Sequence, residues 1–552
     1  MDARLNQSEL VLLPLGGAGE IGMNFNAYGC GPPDDRSWIV VDCGVMFGRE
    51  TGTPGVDVIL PDIRYLAEQY ENVLAIVLTH AHEDHIGAVA QLWPQLRCPI
   101  YATPFTARLL QGKLVEAGIA EQARITVVPL ESMLEIGPFE IAFISITHSI
   151  PEPNALAIRT PFGVVVHTGD WKLDPDPLIG EATNSAALRA IGDEGALALV
   201  CDSTNALVAG KSGSESRVRQ SLVDLIGTLS GRVAVTAFAS NVARLESVGL
   251  AARRHGRELV LVGRSMHRIV QAARETGYLK GFPAAIAPEE AAQLPPRRVL
   301  YLCTGSQGEP RAALARIAAG EHPSVSLGSG DSVIFSSRII PGNELAIFDL
   351  QNKLARRGAE IITERDHFVH VSGHPAREEL EQMYRWVRPR IAVPVHGEFR
   401  QLAEHARLAR ALQVPQAIVP QNGYMLRLAP GRAEIVDETP AGRMHLDGNV
   451  LVAEGRGHAR SRAALAYAGM IAVTIPLDKN GRVAGEPALF LEGIPDEVHD
   501  SIRTALADTL ARHDGRRGDE DNLKERTRLA IRRAATARWG KKPVTRVEVI
   551  WV

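Results

Sequence analysis

Short apolar runs, separated by turns and by longer amphipathic segments, dominate the first part of the chain. Apolar runs bounded by Gly, Pro and Asp predict strands, and longer segments with one polar and one apolar face predict helices. The predicted strands are residues 10–15, 37–42, 73–78, 125–129, 141–146 and 163–167. The predicted helices are residues 63–70, 86–92 and 104–117. This pattern indicates a sheet-rich α/β fold built in layers.

The pattern changes after residue 205 and again after residue 360. Between these points, strands alternate regularly with helices, which is typical of a parallel α/β unit. The strands are residues 232–237, 258–262, 299–303 and 332–335, and the helices are residues 242–255 and 266–276. Strands and turns that contain histidine return in residues 361–436, and the polar, turn-rich residues 437–448 indicate a linker. The predicted domain segments are therefore 1–205, 206–360, 361–436 and a small α+β domain at 449–552.

Composition narrows the class of protein. A chain of 552 residues is too long for one ordinary hydrophobic core, so two or three domains are expected. It has 45% apolar and 22% charged residues, as soluble globular proteins do, and a net charge of −4 gives no overall sign of nucleic-acid binding. The sequence has no apolar run long enough for a membrane span and no signal-peptide pattern at its start. Its five cysteines are scattered without a C-x-x-C pair, which favours free thiols in the cytoplasm.

The most informative motif is His80-Ala81-His82-Glu83-Asp84-His85, directly after the predicted strand 73–78. His80 and His82 are two residues apart and can bind one ion. Asp84 and His85 follow on the opening turn of a helix and can reach a second ion. Imidazole and carboxylate groups suit Zn²⁺ or Mn²⁺. Two histidines in a turn would ordinarily be a solvated loop, but this density of ligand types after a buried strand indicates a metal centre.

Three further candidate ligands, Asp42, His148 and Asp170, stand at the ends of predicted strands. Singly, such residues are more often turn formers or satisfied polar groups. In the order Asp, H-x-H-x-D-H, His, Asp they resemble the metallo-β-lactamase fold, which implies an αββα sandwich. The resemblance implies that one ion is bound by His80, His82 and His148, that another is bound by Asp84 and His85, and that Asp170 bridges them. Asp42 would orient the site rather than bind metal.

The second half of the chain indicates the substrate. Asp202, the run His370-Val371-Ser372-Gly373-His374, and His396 resemble the β-CASP nucleases. The sequence motifs at residues 15–24 and 341–344 resemble those of the ribonuclease J branch of that family, and the resemblance covers nearly the whole chain. It implies a β-CASP α/β domain inserted into the sandwich, with His396 as a further metal ligand and Asp202 as a supporting residue. It also implies that RNA phosphates are bound by His370, Val371, Ser372, Gly373, His374, Ser240, Ser337 and Arg338.

The same resemblance implies a metal-dependent ribonuclease with two Zn²⁺ ions, or Mn²⁺ or Mg²⁺ in their place. Its substrate would be single-stranded RNA, degraded from a 5′-monophosphate end, with endonuclease cleavage as a second mode. In the hydrolysis, His370 would counter phosphoryl charge and donate a proton, while Glu83 or Asp84 would share proton transfer, a choice that the sequence leaves open. The expected role is RNA decay and the maturation of ribosomal and messenger RNA. A homodimer or homotetramer, and contacts with other RNA-decay proteins, are also expected.

Three alternatives make different demands on the sequence. A small-molecule hydrolase of the same fold would need neither the inserted α/β unit nor residues 449–552. Other β-CASP nucleases, which act on DNA or on messenger-RNA 3′ ends, share the metal motif but not the motif at residues 341–344. A catalytically silent scaffold would not need the full ligand set, and every one of its members is present here. These features favour the ribonuclease J branch.

Overall fold

The computed structural model describes residues 8–48, 53–455, 458–515 and 518–552. The chain divides into two compact units. The first consists of Leu60–Gly442 and the chain up to Met46, and the second consists of Phe47–Ile59 and Arg443–Val552.

Strands before residue 443 follow the apolar runs of the sequence. In chain order they are β1 (Glu9–Gly16), β2 (Ala18–Gly19), β3 (Phe25–Gly31), β4 (Ser37–Val41), β5 (Met46–Phe47), β6 (Val58–Pro61), β7 (Val73–Val77), β8 (Ile100–Ala102), β9 (Ile125–Val127), β10 (Met133–Ile136), β11 (Phe139–Ser145), β12 (Asn154–Thr160), β13 (Gly163–His167), β14 (Ala198–Asp202), β15 (Val233–Thr236), β16 (Glu258–Val262), β17 (Val299–Cys303), β18 (Ser332–Phe335), β19 (Glu360–Ile362), β20 (Ile391–Val395), β21 (Gly397–Glu398), β22 (Gln416–Ala417), β23 (Tyr424–Ala429) and β24 (Glu434–Glu438). The predicted strands 163–167, 258–262, 299–303 and 332–335 have the same bounds in the structure.

The helices before residue 443 lie between these strands. In chain order they are α1 (Arg64–Ala67), α2 (Glu83–Ile86), α3 (Val89–Leu96), α4 (Pro104–Glu116), α5 (Ser185–Glu194), α6 (Glu215–Thr228), α7 (Val242–Arg254), α8 (Arg264–Glu275), α9 (Pro288–Ala291), α10 (Ala313–Ala319), α11 (Glu344–Arg356), α12 (Arg377–Val387) and α13 (Phe399–Ala411). The predicted helix 86–92 is wrong in its bounds. The Ala88 amide donates to the carbonyl of Cys43 at 2.9 Å, which separates α2 from α3.

A sandwich of two mixed sheets forms most of the first unit. One sheet has the strand order β24-β23-β1-β3-β4-β7-β8-β9, and the other has the order β10-β11-β12-β13-β14-β20-β22. Leu10 and Leu12 of β1 share a buried cluster with Ile141 and Phe143 of β11, because alternate residues of a strand face the same side. Helix α4 contacts β8 and β9, and helices α5, α12 and α13 pack on the outer face of the second sheet. These layers are the predicted αββα arrangement.

The α/β unit between β14 and β20 has its own parallel sheet, in the order β16-β17-β15-β18-β19, and its own buried core. It is an insertion into the sandwich, because β14 and β20 are parallel neighbours in the second sheet, with Asp202 opposite Val395. The two ends of the insertion therefore leave the sandwich side by side. Asp202 ends β14, and His396 directly follows β20.

The second unit contains strands β25 (Arg443–Asp447), β26 (Val450–Ala453), β27 (Met470–Leu477), β28 (Ala488–Glu492) and β29 (Val544–Trp551), and helices α14 (His458–Ala468), α15 (Asp496–Ala511) and α16 (Glu520–Trp539). Its sheet β28-β27-β29 shares a core with α15 and α16, which gives the predicted α+β fold. Strand β25 lies inside the segment predicted as a linker, because its residues pair with β26 through main-chain hydrogen bonds despite their polar side chains.

The described part of the chain agrees with two expectations from composition. Cys30, Cys43, Cys98, Cys201 and Cys303 are all buried and free. Every helix in the described ranges is too short or too polar to cross a lipid bilayer.

Candidate metal centre

The histidine-rich motif joins the end of β7 to the first turn of α2. His82 is the N-cap residue of α2 and has an extended conformation, and Asp84 and His85 lie within the helix. His80 and His85 are buried, whereas the side chain of Asp84 is partly exposed. A strand end followed by a one-turn helix thus directs imidazole and carboxylate groups into one cleft.

The first group of potential ligands consists of His80, His82, His148 and Asp170. Nε2 of His80 lies 3.0 Å from Nδ1 of His82, and Nε2 of His148 lies 3.1 Å from the same Nδ1. Oδ2 of Asp170 lies 3.9 Å from Nε2 of both His80 and His148. Three imidazole nitrogens and one carboxylate oxygen therefore converge.

Hydrogen bonds to Nδ1, the ring nitrogen that points away from the cleft, and burial together determine which nitrogens of His80 and His148 carry a proton. Nδ1 of His148 donates to the carbonyl of Gly373 at 2.6 Å, and Nδ1 of His80 lies 3.0 Å from the hydroxyl of Thr79. Burial lowers the pKa of His80 and His148 and brings the pKa of His82 to about 4. The imidazoles are therefore neutral at neutral pH, and the bond to Gly373 leaves Nε2 of His148 as an inward lone pair. Neutral imidazole is the form that binds metal.

The second group of potential ligands consists of Asp84, His85, Asp170 and His396. Oδ2 of Asp170 lies 3.2 Å from Nε2 of His85 and 3.5 Å from Nε2 of His396. Oδ2 of Asp84 lies 3.8 Å and 3.7 Å from the same two nitrogens. Because Oδ2 of Asp170 belongs to both groups, this carboxylate has the position that a bridge between two cations requires.

Asp42 and Asn24 hold the second group from behind. Oδ2 of Asp42 accepts a hydrogen bond of 2.6 Å from Nδ1 of His85, and its Oδ1 accepts one of 2.8 Å from the Thr79 amide. Oδ1 of Asn24 accepts a hydrogen bond of 2.9 Å from Nδ1 of His396. The side-chain nitrogen of Asn24 also lies 3.1 Å from Nε2 of His85. The bonds at Nδ1 of His85 and Nδ1 of His396 orient each imidazole ring and direct its Nε2 toward a metal.

The donor atoms fit divalent cations. Among the described residues, Oδ1 of Asp170 and Nε2 of His396 are buried without a hydrogen-bond partner. An unsatisfied buried polar atom costs about 1–3 kcal/mol, a cost that a bound cation removes. Burial opposes ionisation of Asp170, but the imidazoles of His396 and His85 outweigh it and hold the pKa of Asp170 well below its usual range. Burial likewise opposes protonation of His85, yet Asp170 and Asp42 raise its pKa. The negative potential that favours a proton there also attracts a metal ion.

Gly373 lies against the first ligand group. A Cβ atom at this position would be 2.7 Å from Cε1 and 3.0 Å from Nδ1 of His148, which is closer than real Cβ atoms come to a ring. The absence of a side chain therefore lets the main chain approach the imidazole closely enough for the Gly373 carbonyl to accept its hydrogen bond.

The rest of the segment 370–374 is held by its own hydrogen bonds. Val371 is buried. The hydroxyl oxygen of Ser372 accepts hydrogen bonds of 2.8 Å from the Asn205 side chain and 3.1 Å from the His374 amide. Asn205, three residues after Asp202, also donates to the carbonyl of His374 at 3.1 Å and so fixes the turn.

His374 is the histidine of this segment that borders the metal ligands. Its Nδ1 lies 2.8 Å from Oδ2 of Asp202 and 3.8 Å from Oδ2 of Asp170. Burial lowers the pKa of His374, but Asp202 and Asp170 outweigh burial and raise it to about 9. Asp202, predicted as a supporting residue, contacts this histidine.

His370 lies in a different, cationic environment. Burial lowers its pKa, and the positive charges of Arg244, Arg338 and Lys172 lower it further. In the described chain, its Nδ1 is buried without a hydrogen-bond partner. The structure thus separates the two histidines of the motif, with His374 at the metal ligands and His370 among cations.

The other predicted phosphate-binding residues lie on two loops of the inserted domain. Ser240 follows β15, and Ser337 and Arg338 follow β18, which pairs with β15 in parallel. The loops at the carboxyl ends of neighbouring parallel strands meet at one edge of the sheet, where binding sites of α/β proteins commonly form. Ser337 is buried and Arg338 is exposed.

Glu83, predicted to share proton transfer, has a carboxylate that is about half exposed and that forms an ion pair of 2.7 Å with Lys113 on α4. Sequence reasoning also missed Asn24 and Thr79. Thr79 directly precedes the histidine-rich motif. Asn24 lies in the glycine-rich motif at residues 15–24, where the only available signal was the resemblance to ribonuclease J.

Family comparisons cover most of the chain. The metallo-beta-lactamase superfamily matches residues 33–192, and the beta-CASP domain of ribonuclease J matches residues 230–354. A Zn-dependent metallo-hydrolase RNA specificity domain matches residues 358–419, and the ribonuclease J C-terminal domain matches residues 458–552. Together with the ligand groups, these matches establish that the chain binds divalent metal.

Two relatives are ribonucleases J, and one solved structure shares the fold. Ribonuclease J of Sinorhizobium meliloti is 47% identical, over 98% of this chain and 97% of that protein. Ribonuclease J of Mycolicibacterium smegmatis is 40% identical, over 88% of this chain and 86% of its own. A protein of unknown function from Enterococcus faecalis V583 shares the fold, with a TM-score of 0.51 and 15% identity over 76% of this chain and all of its own.

The matches also decide between the alternatives. Both the inserted domain and the C-terminal domain match ribonuclease J, which favours it over a small-molecule hydrolase or another β-CASP nuclease. The chain therefore belongs to the ribonuclease J family and is a metal-dependent ribonuclease that acts on RNA phosphodiesters.

Proposed function

We propose that this ribonuclease degrades single-stranded RNA in the 5′-to-3′ direction, prefers a 5′-monophosphate, and cleaves internal phosphodiesters as a second mode. The observation that carries the proposal is that one segment, 370–374, reaches from the metal ligands to a region of positive charge that suits a phosphate pocket. Gly373 and His374 lie beside members of the ligand groups, and His370 lies in the field of the positive charges of Arg244, Arg338 and Lys172. A 5′ end held in such a pocket sets which phosphodiester lies at the metal centre.

The two ligand groups would hold two Zn²⁺ ions, with Mn²⁺ or Mg²⁺ as alternatives. His80, His82 and His148 would hold one, Asp84, His85 and His396 would hold the other, and Asp170 would bridge them. When bound, such cations supply Lewis acidity, which activates water and counters phosphoryl charge. Asp42 and Asn24 keep the ligand imidazoles oriented.

His374 is the residue that we assign to proton donation. Its Nδ1 is engaged by Asp202, which leaves Nε2 as the ring nitrogen that can serve the departing 3′ oxygen. Asp202 raises the pKa of His374, which keeps the ring protonated as a general acid must be. Of the residues predicted for this role, Glu83 is occupied by Lys113, and Asp84 belongs to the ligand group.

His370 is assigned instead to the 5′ phosphate. Its unpartnered Nδ1 and the neighbouring guanidinium of Arg338 suit an anion, and Ser240 and Ser337 stand on the adjoining loops. Arginine binds phosphate through two parallel N–H donors, and serine hydroxyls add further donors. The segment from Val371 to Gly373 would follow the RNA backbone between this pocket and the metal centre.

A digestion of uniformly labelled RNA tests the proposal. One RNA is prepared with a 5′-monophosphate, a 5′-triphosphate or a 5′-hydroxyl end and incubated with the enzyme, with and without a chelator. We expect labelled mononucleotide from the monophosphate RNA first, slower release from the other two, and no product with the chelator. Equal rates on the three ends, or products several nucleotides long without mononucleotide, would contradict it.

We further propose a cytoplasmic role in RNA decay and in the maturation of ribosomal and messenger RNA. The buried free cysteines are consistent with a reducing compartment. A homodimer or homotetramer, and association with other RNA-decay proteins, complete the proposal. Light scattering of the purified chain tests the oligomeric state.

A further inference from the structure

We propose that the buried ion pair between Arg244 and Glu215 is the positioning element that sets the spacing between the 5′-phosphate pocket and the metal centre. The inference rests on the proposed function, because it concerns the same pocket. It assigns a role to two residues that neither bind metal nor face the RNA.

The pair is fully enclosed within the first unit. Arg244 has no exposed surface, and Glu215 is 3% exposed. Nη2 of Arg244 donates to both carboxylate oxygens of Glu215, at 2.9 Å and 3.1 Å, and Nε donates to Oε2 at 3.2 Å. The remaining nitrogen, Nη1, donates to the carbonyl and the hydroxyl of Ser336 and to the carbonyl of Val369. Every guanidinium nitrogen therefore has a protein acceptor.

Each segment that supplies a pocket residue is attached to this pair by the neighbouring residue. Asn241, next to Ser240, donates to Oε1 of Glu215 at 3.1 Å and accepts from the Arg244 amide at 2.9 Å. Ser336, next to Ser337, accepts from Nη1 at 2.6 Å.

The third attachment is at Val369, next to His370. Its carbonyl accepts from Nη1 of Arg244 at 3.0 Å and from the hydroxyl of Ser336 at 2.7 Å. The loops after β15 and β18 and the segment 370–374 thus meet at one guanidinium. A displacement of this group would move the three parts of the pocket relative to one another.

The same pair is connected to the metal centre. The Glu215 amide donates to Oδ2 of Asp174 at 2.9 Å, and the Asp174 amide donates to the hydroxyl of Thr147 at 3.1 Å. Thr147 directly precedes the ligand His148, and one narrow cavity is lined by His148, Asp174 and Glu215. Hydrogen bonds and main-chain links therefore connect the Arg244–Glu215 pair to Thr147, the residue directly before the ligand His148.

Charge alone cannot replace this arrangement. Lysine carries the same charge on a compact ammonium group, which cannot form the bidentate contact with Glu215 while also reaching Ser336 and Val369. Removal of the Ser336 hydroxyl breaks a smaller part of the network and leaves the ion pair in place. Arg244→Lys therefore disturbs the positioning element strongly, and Ser336→Ala disturbs it mildly.

The chain offers a matched control for each variant. Arg257 is also buried and donates to the main-chain carbonyls of Gly231 and Val299, at the other edge of the parallel sheet. Ser332 is buried at the start of β18, and its hydroxyl donates to Glu360 at 2.9 Å. Arg257→Lys and Ser332→Ala thus disturb the same domain away from the pocket.

The readout is the ratio of kcat/KM on 5′-monophosphate RNA to kcat/KM on 5′-hydroxyl RNA of the same sequence. A general loss of structure lowers both values together and leaves the ratio unchanged. We expect Arg244→Lys to lower the ratio roughly tenfold or more, and Ser336→Ala to lower it by a smaller factor, because small misplacements of a bound group cost that much in rate. Arg257→Lys and Ser332→Ala should keep the wild-type ratio.

The two possible failures are distinguishable. If the wild-type enzyme itself shows no preference for the monophosphate, the pocket and its positioning element are both wrong. If the wild type shows the preference and Arg244→Lys and Ser336→Ala retain it in full, only the positioning role is overturned. Should Arg244→Lys not fold, Ser336→Ala alone decides, because it leaves the ion pair intact.

Discussion

Nδ1 of His374 lies 2.8 Å from Oδ2 of Asp202, although the two residues are 172 positions apart in the chain. The carboxylate orients the ring and raises its pKa to about 9 against the effect of burial. Asp202 thus holds the ring beside the metal ligands through its Nδ1 and favours the protonated form. A histidine in this state is suited to give a proton to a leaving group.

His374→Ala should lower kcat on RNA by about a hundredfold or more, which is the usual contribution of a general acid. The effect should be much smaller on bis(p-nitrophenyl) phosphate, whose leaving group needs no proton. His370→Ala is the comparison, because it alters the same segment without removing the proposed acid. If His374→Ala lowered kcat equally on both substrates, proton donation by His374 would be contradicted. If instead His370→Ala lowered kcat on RNA but not on bis(p-nitrophenyl) phosphate, His370 would be the proton donor.

The metal content of two variants should show that Asp170 belongs to both ligand groups. The wild type is expected to bind about two ions per chain. His148→Ala removes a ligand of the first group only and should retain about one ion, whereas Asp170→Asn weakens both groups and should retain less. Elemental analysis after dialysis measures this, and each variant should be inactive on RNA. If Asp170→Asn retained the full metal content, the bridging assignment would be wrong.

Gly373→Ala should displace a metal ligand without changing any ligand. The added Cβ atom would be 2.7 Å from Cε1 of His148, so either the ring or the segment 370–374 must move. We expect metal affinity and RNA hydrolysis to fall by about tenfold to a hundredfold, as when a group that orients a ligand is lost. Gly112→Ala on α4 is the control, since a Cβ atom there meets nothing within 4 Å. Similar metal affinity in both variants would show that the contact is unimportant.

Acid should destabilise the sandwich through His405. This buried ring lies between the Ser203 hydroxyl, 2.8 Å away, and the Tyr384 hydroxyl, 2.9 Å away, and burial lowers its pKa to about 4. The unfolded chain therefore takes up the proton first as the pH falls below the ordinary histidine value. The neutral ring makes its full contribution to the free energy of unfolding above about pH 6.5. That contribution falls progressively as the pH is lowered to about 4, and the loss is roughly 1 kcal/mol at about pH 5.5.

The comparison is between wild type and His405→Gln, each unfolded by urea at about pH 7.5 and about pH 5.5. Glutamine does not titrate, so the variant should lose less stability between the two pH values, even if it is less stable at both. Identical losses would exclude His405 as a source of the acid sensitivity.

Much of the fold could be predicted from local pattern. Strands 258–262, 299–303 and 332–335 are apolar runs bounded by polar residues, and their bounds agree with β16, β17 and β18. Strand β25 was not predictable in this way, because its polar sequence pairs through the main chain. Strand β28 has alternate residues exposed, including Phe490, and is too short for that alternation to stand out.

The metal centre was more predictable than its surroundings. The ligand types stand at strand ends, and their order along the chain resembles that of the metallo-β-lactamase fold, so the resemblance brought distant ligands together. The difference between His370 and His374 was not predictable, because both belong to one motif and a distant carboxylate, Asp202, determines which one adjoins the ligands. The pair Arg244 and Glu215 has no local signal, since its partners in the loops come from three separate segments.

The insertion between β14 and β20 has a consequence for the nascent chain. His396, a member of the second ligand group, follows β20 and is therefore translated only after the entire inserted domain. Chains are made from the N-terminus, and domains fold as they emerge. A ribosome-bound chain that ends before this residue carries the first ligand group without a complete second one. The order of synthesis thus keeps the second ligand group incomplete until the whole inserted domain has been made.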